Sequence, residues 1–372
     1  MAIASSKTIM TTTEAATITS FPAASFGKSI PYSQRQLLLH DPRQPYRLHT
    51  DREIPELKFG DLLVEVHGIG LNPIDWKSAI PKHADPFKIA SMGVAYVAAG
   101  LSLGVCLGLS FTKGPNKREF NLLENARRYP EDVPDDIFDE VFDALAPCYQ
   151  AQPGEWLLVY GASTVAGQIT IQLAKLGGLK VVGVADLSKH RQFLQSLGTD
   201  ILIERSDLDQ AKRDIKRLVL ASLRFAIDTV GSKTAGWCQQ VLAERTSSRY
   251  CRPGKETPTN PSPVDAATRG GGSKLSHLVA LTGSPQTFSP NVQVHTVPIK
   301  LFHTSEYVGG HLSKWLYELL DTNKLQPPEV EFVPGGLDAI NGALERLREG
   351  KTSGKRLVIR VKEPDTKIGA FS

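Results

Sequence analysis

The feature of the sequence that most constrains the fold is a strand, glycine loop, helix and second strand within residues 152–186. An apolar run from Trp156 to Tyr160 predicts a buried strand, and a loop bounded by Gly161 and Gly167 opens a helix with one apolar side. A second apolar strand follows at residues 180–185. Strands that are apolar throughout are typical of a parallel sheet covered on both faces, so we expect a doubly wound α/β fold.

The loop between Gly161 and Gly167 predicts a dinucleotide site. Its backbone N–H groups and the positive end of the following helix would face a pyrophosphate. Gly161 permits the tight turn, and Gly167 lets the helix pack closely on the strand. The spacing differs from GxGxxG, and the alternative is a plain glycine turn, but the complete strand–loop–helix–strand context favours a cofactor. The residues expected to bind it through backbone groups are Ser163, Thr164, Val165 and Ala166.

Charged side chains follow the second strand and bear on which cofactor is bound. An acid at Asp186 would bond a ribose 2′-hydroxyl and favour NAD, whereas the basic cluster beyond it would receive the 2′-phosphate of NADP. The alternative is a solvated helix start capped by Asp186 or Ser188. These signals conflict, and we favour NADP(H). The candidate residues are Asp186, Ser188, Lys189 and His190.

Two further segments predict strands of the same sheet. Residues 223–235 form a strand pattern ending in Asp228 and Gly231, and residues 276–285 form another ending in Thr282 and Gly283. Such strand ends are where an open parallel sheet binds ligands. Residues 245–275, rich in Gly, Pro, Ser and Thr, predict a surface insertion. The stretch 350–356 resembles part of a triphosphate-binding loop but has the wrong spacing and setting.

Residues 90–111 carry no charged side chain, and Gly100, Gly104 and Gly108 recur every fourth residue. The length suits a membrane span, and the glycine spacing suits helix dimerisation in lipid. A helix that is apolar on all sides is equally typical of the centre of a large water-soluble domain. The pattern alone leaves both interpretations open.

Composition excludes several other classes of protein. The formal charge is +4 over 372 residues, with basic and acidic residues mixed, so no nucleic-acid surface is expected. Four cysteines without CxxC spacing indicate a reducing, cytoplasmic setting. Residues 1–30 are rich in Ser, Thr and Ala and lack the apolar core of a secretory signal, which predicts a disordered tail.

Several segments together resemble the medium-chain dehydrogenase/reductase superfamily, and its zinc-free fungal enoyl-reductase and quinone-reductase-like branch is most similar. The resemblance implies a Rossmann NADP-binding domain at 91–299 and a truncated GroES-like β domain at 31–90 and 300–372. It also identifies residues 90–111 as a buried helix crossing between the domains rather than a membrane span. The segments that carry it are 53–79, 153–178, 277–285 and 335–361.

The resemblance has one large gap. Only residues 78–91 separate the turn Asn72-Pro-x-Asp75-x-Lys77 from the crossing helix, where relatives continue through most of a barrel. Removing the middle strands of a barrel leaves unpaired edges. We therefore expect lower stability than that of full-length relatives and dependence on a dimer partner, the family implying monomers or homodimers.

The resemblance also implies roles for individual residues. Asn72 and Asp75 would lie near the nicotinamide, and Lys77 would orient the substrate or help deliver a proton. The alternatives are that Asn72-Pro73 is a simple turn and that a lone Lys faces solvent. The residues that the resemblance places near the nicotinamide or the phosphates are Leu281, Thr282, Ser353 and Gly354.

The expected chemistry is hydride transfer without a metal. Cysteines and histidines show no grouping of the kind zinc-dependent relatives need, so we expect no metal site. Four histidines lack partners at catalytic spacing, which favours surface or core positions. No Tyr-x-x-x-Lys is present, which disfavours the short-chain reductase mechanism. These histidines are His277, His295, His303 and His311.

The sequence thus predicts an NADPH-dependent enzyme that reduces an activated C=C bond. Its substrate would be an enoyl thioester, bound to CoA or a carrier, or a quinone or enone, in secondary metabolism. The rival interpretation is a cofactor-binding protein without turnover, because the shortened barrel would not hold substrate. A third, a membrane-anchored reductase, would require detergent for extraction.

Overall fold

The structure is a computed structural model, and it describes eight stretches of the chain. The described residues are 2–5, 32–38, 47–56, 65–70, 92–113, 118–219, 221–247 and 275–361.

Fourteen strands lie in the described residues. They are β1 (Ala2–Ser5), β2 (Ser33–Leu38), β3 (Arg47–Glu53), β4 (Glu65–Gly70), β5 (Phe111–Lys113), β6 (Arg118–Phe120), β7 (Trp156–Tyr160), β8 (Lys180–Ala185), β9 (Ile201–Glu204), β10 (Leu223–Asp228), β11 (Ser276–Ala280), β12 (Val292–His295), β13 (Glu329–Val333) and β14 (Lys355–Arg360).

The same residues contain ten α-helices and one π turn, Ser102–Cys106. The helices are α1 (Gly93–Leu101), α2 (Leu122–Arg128), α3 (Asp135–Phe142), α4 (Val165–Leu176), α5 (Leu187–Ser196), α6 (Leu208–Leu218), α7 (Ser232–Ser247), α8 (Leu301–Thr304), α9 (Glu306–Asp321) and α10 (Ile340–Arg348).

A six-stranded parallel sheet organises the larger part of the molecule. Its order is β12-β11-β10-β7-β8-β9, and every neighbouring pair is parallel. The chain order reverses between β7 and β10, which is the doubly wound arrangement that opens a crevice at the strand ends. The doubly wound α/β fold predicted from the sequence is confirmed, as are the strands predicted at 156–160 and 180–185.

Both faces of this sheet are buried. Alternate residues of β7 divide between two apolar clusters, Leu157 and Val159 on the face covered by α1 and α4, and Leu158 and Tyr160 on the face covered by α6 and α7. Because successive side chains of a strand point to opposite faces, a strand buried on both sides must be apolar throughout. This requirement is why the apolar runs predicted the strands correctly.

The described part of the uncharged stretch, residues 92–111, contains the buried helix that the resemblance implied. Helix α1 continues into the π turn, and the left-handed backbone of Gly108, with φ of 62°, follows it. Tyr96 and Leu101 on α1 are essentially inaccessible to solvent. Within the described residues, no helix is both long enough and apolar enough to cross a bilayer.

The four-residue glycine spacing serves packing within the chain. A Cβ atom on Gly100 would lie 2.9 Å from Leu312 of α9, and one on Gly104 would lie 2.6 Å from Leu122 of α2. Each glycine therefore admits a leucine of another helix. The Tyr96 hydroxyl also donates to the Leu312 carbonyl at 3.0 Å, which fixes α9 on α1.

A second group of strands surrounds a smaller core. A four-stranded sheet has the order β1-β4-β14-β13, and β2 and β3 form an antiparallel pair. Leu357 and Ile359 of β14 pack with Ile340 of α10 and with Leu37 and Leu48 of the pair. Helices α8 and α9 instead join the large core, although the sequence assigned 300–372 to the smaller domain.

Part of the segment predicted to be a disordered tail is ordered as a strand. Residues 2–5 form β1, which pairs antiparallel with β4, and Ala2 lies opposite Ile69. Four residues gain little burial alone, but they satisfy backbone groups along an otherwise unpaired edge of β4. The proposed insertion at 245–275 lies mostly outside the described residues, apart from the last turn of α7 and Leu275.

Candidate cofactor site

The candidate site lies where the strand order reverses, between the ends of β7 and β10. Gly161 directly follows β7, and Thr229 directly follows β10. The Thr229 hydroxyl lies 3.0 Å from the Tyr160 carbonyl oxygen and 2.9 Å from the Thr164 hydroxyl. These hydrogen bonds hold the loop after β7 against the end of β10.

Gly161 and Gly167 are required by the geometry of the loop. Gly161 has φ of 77°, a conformation that favours glycine, and a Cβ there would lie 2.4 Å from the Thr229 hydroxyl oxygen. A Cβ on Gly167 would lie 2.3 Å from the Gly161 carbonyl oxygen. The roles expected for both glycines, a tight turn and close packing of helix on strand, match these contacts.

The first turn of α4 presents backbone donors to the crevice. Thr164 is the N-cap, and its hydroxyl accepts from Gly167 N at 3.0 Å. The N–H groups of Ser163, Val165 and Ala166 have no acceptor among the described residues. Free donors at the positive end of a twelve-residue helix form a site for an anion such as a pyrophosphate. We call this loop and helix start, residues 161–167, the cradle.

Ser353 and Gly354 reach the cradle from the far end of the chain. The buried Gln168 amide nitrogen donates to the Ser163 carbonyl at 2.9 Å and to the Gly354 carbonyl at 2.8 Å. His190 Nε2 lies 2.8 Å from the Ser353 hydroxyl. Residues 350–354 therefore connect the smaller core to the cradle. They are followed by strand β14 and not by the helix that a triphosphate-binding loop would require.

Asp186 lies at the end of β8 and is already engaged by its neighbours. The Ser188 hydroxyl donates to Asp186 Oδ1 at 2.5 Å, and Lys189 Nζ lies 3.3 Å from Oδ2. The hydrogen bond from Ser188, followed by that from Lys189, lowers the pKa of the Asp186 carboxyl. The Asp186 side chain makes no capping bond to α5, and Glu204 of β9 accepts from Leu187 N at 2.9 Å.

A basic residue that the sequence analysis missed lies beside these groups. Arg205 follows β9 directly, is exposed, and its N–H donates to the Ala185 carbonyl at 3.1 Å. Its charge acts on both Asp186 and His190, and burial is the main cause that lowers the His190 pKa. The signal that could have found Arg205 is its position immediately after an apolar strand that neighbours β8.

Leu281 and Thr282 lie at the end of β11, on the other side of β10. Leu281 N donates to the Asp228 carbonyl at 3.0 Å, and Thr282 is exposed. The buried Asp228 carboxylate accepts from Gly231 N at 2.9 Å, and burial raises the pKa of this carboxyl. These residues border the same crevice as the cradle.

No model of a known protein family matches the chain. The trans-enoyl reductase ACTTS2 of Alternaria alternata is 26% identical over 346 residues, which cover 83% of this chain and 94% of that protein. The enoyl reductase component lovC of the lovastatin nonaketide synthase of Aspergillus terreus is 24% identical over 217 residues, or 56% of this chain and 54% of that protein. The solved CurK enoyl reductase gives a TM-score of 0.48 at 16% identity, over 76% of this chain and 64% of that one.

The chain resembles fungal trans-enoyl reductases. The resemblance to fungal enoyl reductases, drawn from the sequence, is thereby confirmed. Three of the site residues predicted from the sequence lie outside the described residues. They are Asn72, Asp75 and Lys77.

Two histidines of the reductase-like chain are neither isolated nor exposed. His277 Nδ1 lies 2.9 Å from His295 Nε2, and His295 Nδ1 lies 2.7 Å from Glu140 Oε1. This series of hydrogen bonds could not be predicted from the sequence because Glu140 and His295 are 155 residues apart. Cys106 lies in the same cluster, so the expectation that no ligand types are grouped does not hold in space. Of the other two, His303 is exposed and His311 stacks on Phe120.

Proposed function

We propose that this chain is an NADPH-dependent reductase that transfers hydride to an activated C=C bond. The observation that carries the proposal is the cradle at the strand-order reversal. Its Ser163, Val165 and Ala166 N–H groups are free to donate to an anion. A pyrophosphate is the anion shared by both nicotinamide coenzymes, and a doubly wound sheet binds dinucleotides at this place.

The charges around the end of β8 favour NADPH over NADH. Both Asp186 oxygens already accept from Ser188 or Lys189, which weakens this carboxylate as an acceptor for a ribose hydroxyl. Lys189 and Arg205 supply positive charge beside the position of the 2′ group, and His190 adds a ring nitrogen. A 2′-phosphate is stabilised by such charge-assisted contacts.

The cofactor supplies the hydride, and the protein positions both reactants and stabilises the charge that develops. In this proposal Asn72 and Asp75 bind near the nicotinamide, and Lys77 orients the substrate or protonates the carbon next to the carbonyl. Leu281 and Thr282 border the crevice from β11, where the nicotinamide half would extend.

The substrate class that we propose is an enoyl thioester on CoA or on a carrier, with quinones and enones as the alternative. Its support is the similarity to trans-enoyl reductases and to the enoyl reductase component of the lovastatin nonaketide synthase. The rival, a cofactor-binding protein without turnover, shares the cradle and differs only in lacking NADPH consumption.

The test uses the purified full chain and adds one negative charge beside the cradle. Ser163→Asp places a carboxylate next to the free N–H groups, which stabilises the helix start but repels a pyrophosphate. We expect NADPH affinity, measured by nucleotide fluorescence, to fall at least about tenfold. Ser163→Asn, of similar shape and without charge, is the matched control and should bind like the parent.

Turnover is measured separately with a crotonyl thioester and with a quinone. A reductase is supported if the parent protein consumes NADPH with either substrate, Ser163→Asp does not, and Ser163→Asn does. Binding without consumption of NADPH supports the rival. Equal NADPH affinity in both variants, or no affinity in the parent protein, removes the proposed function altogether.

A further inference from the structure

A buried cluster of side chains of the types that can ligate metals lies at the edge of the six-stranded sheet. Cys106 ends the π turn, Glu140 lies on α3, and His295 ends β12. Their ligand atoms, a thiol sulfur, a carboxylate oxygen and an imidazole nitrogen, all lie within 4.8 Å of one another. Cys106 and His295 are fully buried, and the Glu140 side chain is 14% exposed. Three elements distant in sequence thus converge on one small volume.

Hydrogen bonds link the members of this cluster to one another and to the backbone. Glu140 accepts from Thr296 N at 3.2 Å and pairs with His295 Nδ1 at 2.7 Å. The Cys106 sulfur lies beside that carboxylate, and its backbone contact is the Thr296 carbonyl at 4.0 Å. A divalent cation would stabilise a Cys106 thiolate and the Glu140 carboxylate together.

The donor set is chemically selective. Sulfur, imidazole nitrogen and carboxylate oxygen are the three ligand types that zinc accepts. A thiolate and a carboxylate balance the charge of a dication, and a neutral imidazole adds none. The Thr296 carbonyl oxygen lies 4.0 Å from the Cys106 sulfur, and either this oxygen or a water molecule would take the fourth position.

His295 also has the support that metal-ligating histidines usually have. Its Nε2 lies 2.9 Å from Nδ1 of His277, a fully buried side chain. With a cation on Nδ1, His295 carries its proton on Nε2 and donates it to His277 Nδ1, which fixes the ring orientation. The His277 Nε2 atom has no hydrogen-bond partner among the described residues.

We propose that Cys106, Glu140 and His295 bind a zinc ion, with His277 orienting His295. The site would fasten α3 and the π turn to the end of β12. The His295–Glu140 contact of 2.7 Å must open to about 3.3 Å, the separation of two ligands on one zinc ion. Cys106 then loses its proton to solvent as the metal enters.

This zinc site is separate from the cradle. Strand β12 is the outer strand of the order β12-β11-β10-β7, and the cradle follows β7. The inference therefore does not depend on the proposed function, and NADPH binding should be the same with and without zinc.

The test begins with metal removal from the purified full chain by a chelator, followed by titration with Zn²⁺ or Co²⁺. We expect one metal ion per chain, a higher Tm with Zn²⁺, and a sulfur-to-metal charge-transfer absorption with Co²⁺. Cys106→Ser should abolish that absorption and weaken Zn²⁺ binding at least about tenfold. Cys148→Ser, which changes an exposed free cysteine, is the matched control and should bind as the parent does.

His277→Gln probes the orienting contact, and it should weaken Zn²⁺ binding about 10–100-fold while keeping the cobalt–sulfur absorption. Two outcomes overturn the proposal. One is a parent protein that shows no cobalt–sulfur absorption and no Zn²⁺-dependent change in Tm. The other is equal Zn²⁺ affinity in Cys106→Ser and Cys148→Ser. Because the parent spectrum decides by itself, a variant that does not fold leaves the test intact.

Discussion

The cradle and the buried edge cluster are built in opposite ways. The cradle consists of neighbouring residues, 161–167, and works through backbone N–H groups and the space that two glycines leave. The edge cluster consists of the side chains of Cys106, Glu140, His277 and His295, which come from four different elements. The first can be read in a short stretch of sequence, whereas the second exists only after folding.

This difference in construction determines which substitutions each region tolerates. In the cradle a Cβ added at Gly167 meets backbone oxygens, and one added at Gly161 meets the Thr229 side chain at a positive φ. The glycine positions are therefore sensitive to substitution, and the side-chain positions are tolerant. In the edge cluster Glu140, His295 and His277 bond to one another inside the protein, so removing one of these side chains leaves its partner buried without that bond. Three substitutions test this contrast.

Gly167→Ala should have the largest effect, because its Cβ would lie 2.3 Å from the Gly161 carbonyl oxygen. We expect a loss of about 3 kcal/mol in the free energy of unfolding, together with loss of NADPH binding. Denaturant unfolding and nucleotide fluorescence measure both. Gly236→Ala on α7, where no atom lies within 4 Å of the added Cβ, is the control and should stabilise the helix by about 0.5–1 kcal/mol. Equal unfolding free energies and equal NADPH binding in Gly167→Ala and Gly236→Ala would contradict the proposed sensitivity of the cradle glycines.

His295→Leu should come second, measured in the presence of a chelator. It removes the partner of both Glu140 and His277 while keeping a similar volume, so we expect a loss of about 2–4 kcal/mol in the free energy of unfolding. His303→Leu, at an exposed histidine, should change it by no more than about 0.5 kcal/mol. NADPH affinity of the folded His295→Leu protein should stay near that of the parent. A loss of NADPH affinity would show that the two regions are coupled.

Lys189→Ala should have the smallest effect, because an exposed side chain contributes weakly. Removing its charge from the end of β8 should lower the preference for NADPH over NADH by up to about tenfold, with no change in stability. The measurement is the ratio of dissociation constants for the two coenzymes. Lys314→Ala, on the exposed side of α9, should leave that ratio unchanged. An unaltered ratio in Lys189→Ala would favour the Asp186 interpretation and NADH.

Features that depend on neighbouring residues were predicted from the sequence, and features that depend on contacts between distant residues were not. The strands at 156–160 and 180–185 and the turn at Gly161 depend on local pattern, and they were predicted correctly. Ser353 and Gly354 were reached only through the family resemblance, because the bonds from His190 and Gln168 join residues 163 and 186 positions apart. Arg205 was missed because its role depends on a neighbouring strand rather than on its own segment.

The glycine-spaced stretch shows where a pattern is insufficient. Its sequence fits a bilayer or a protein core equally, since both are apolar surroundings. The family resemblance favoured the protein core, and the structure shows the physical basis, because Leu312 and Leu122 of two other helices fill the spaces over Gly100 and Gly104.

The sequence by itself determined the parallel sheet, the cradle and the family resemblance, because apolar periodicity and glycine placement act over a few residues. Only the tertiary structure decided that residues 2–5 complete a sheet edge and that the 350–354 loop binds the cradle. It alone brought Cys106, Glu140 and His295 together. Contacts between distant residues depend on how the whole chain packs, and no local pattern encodes that packing.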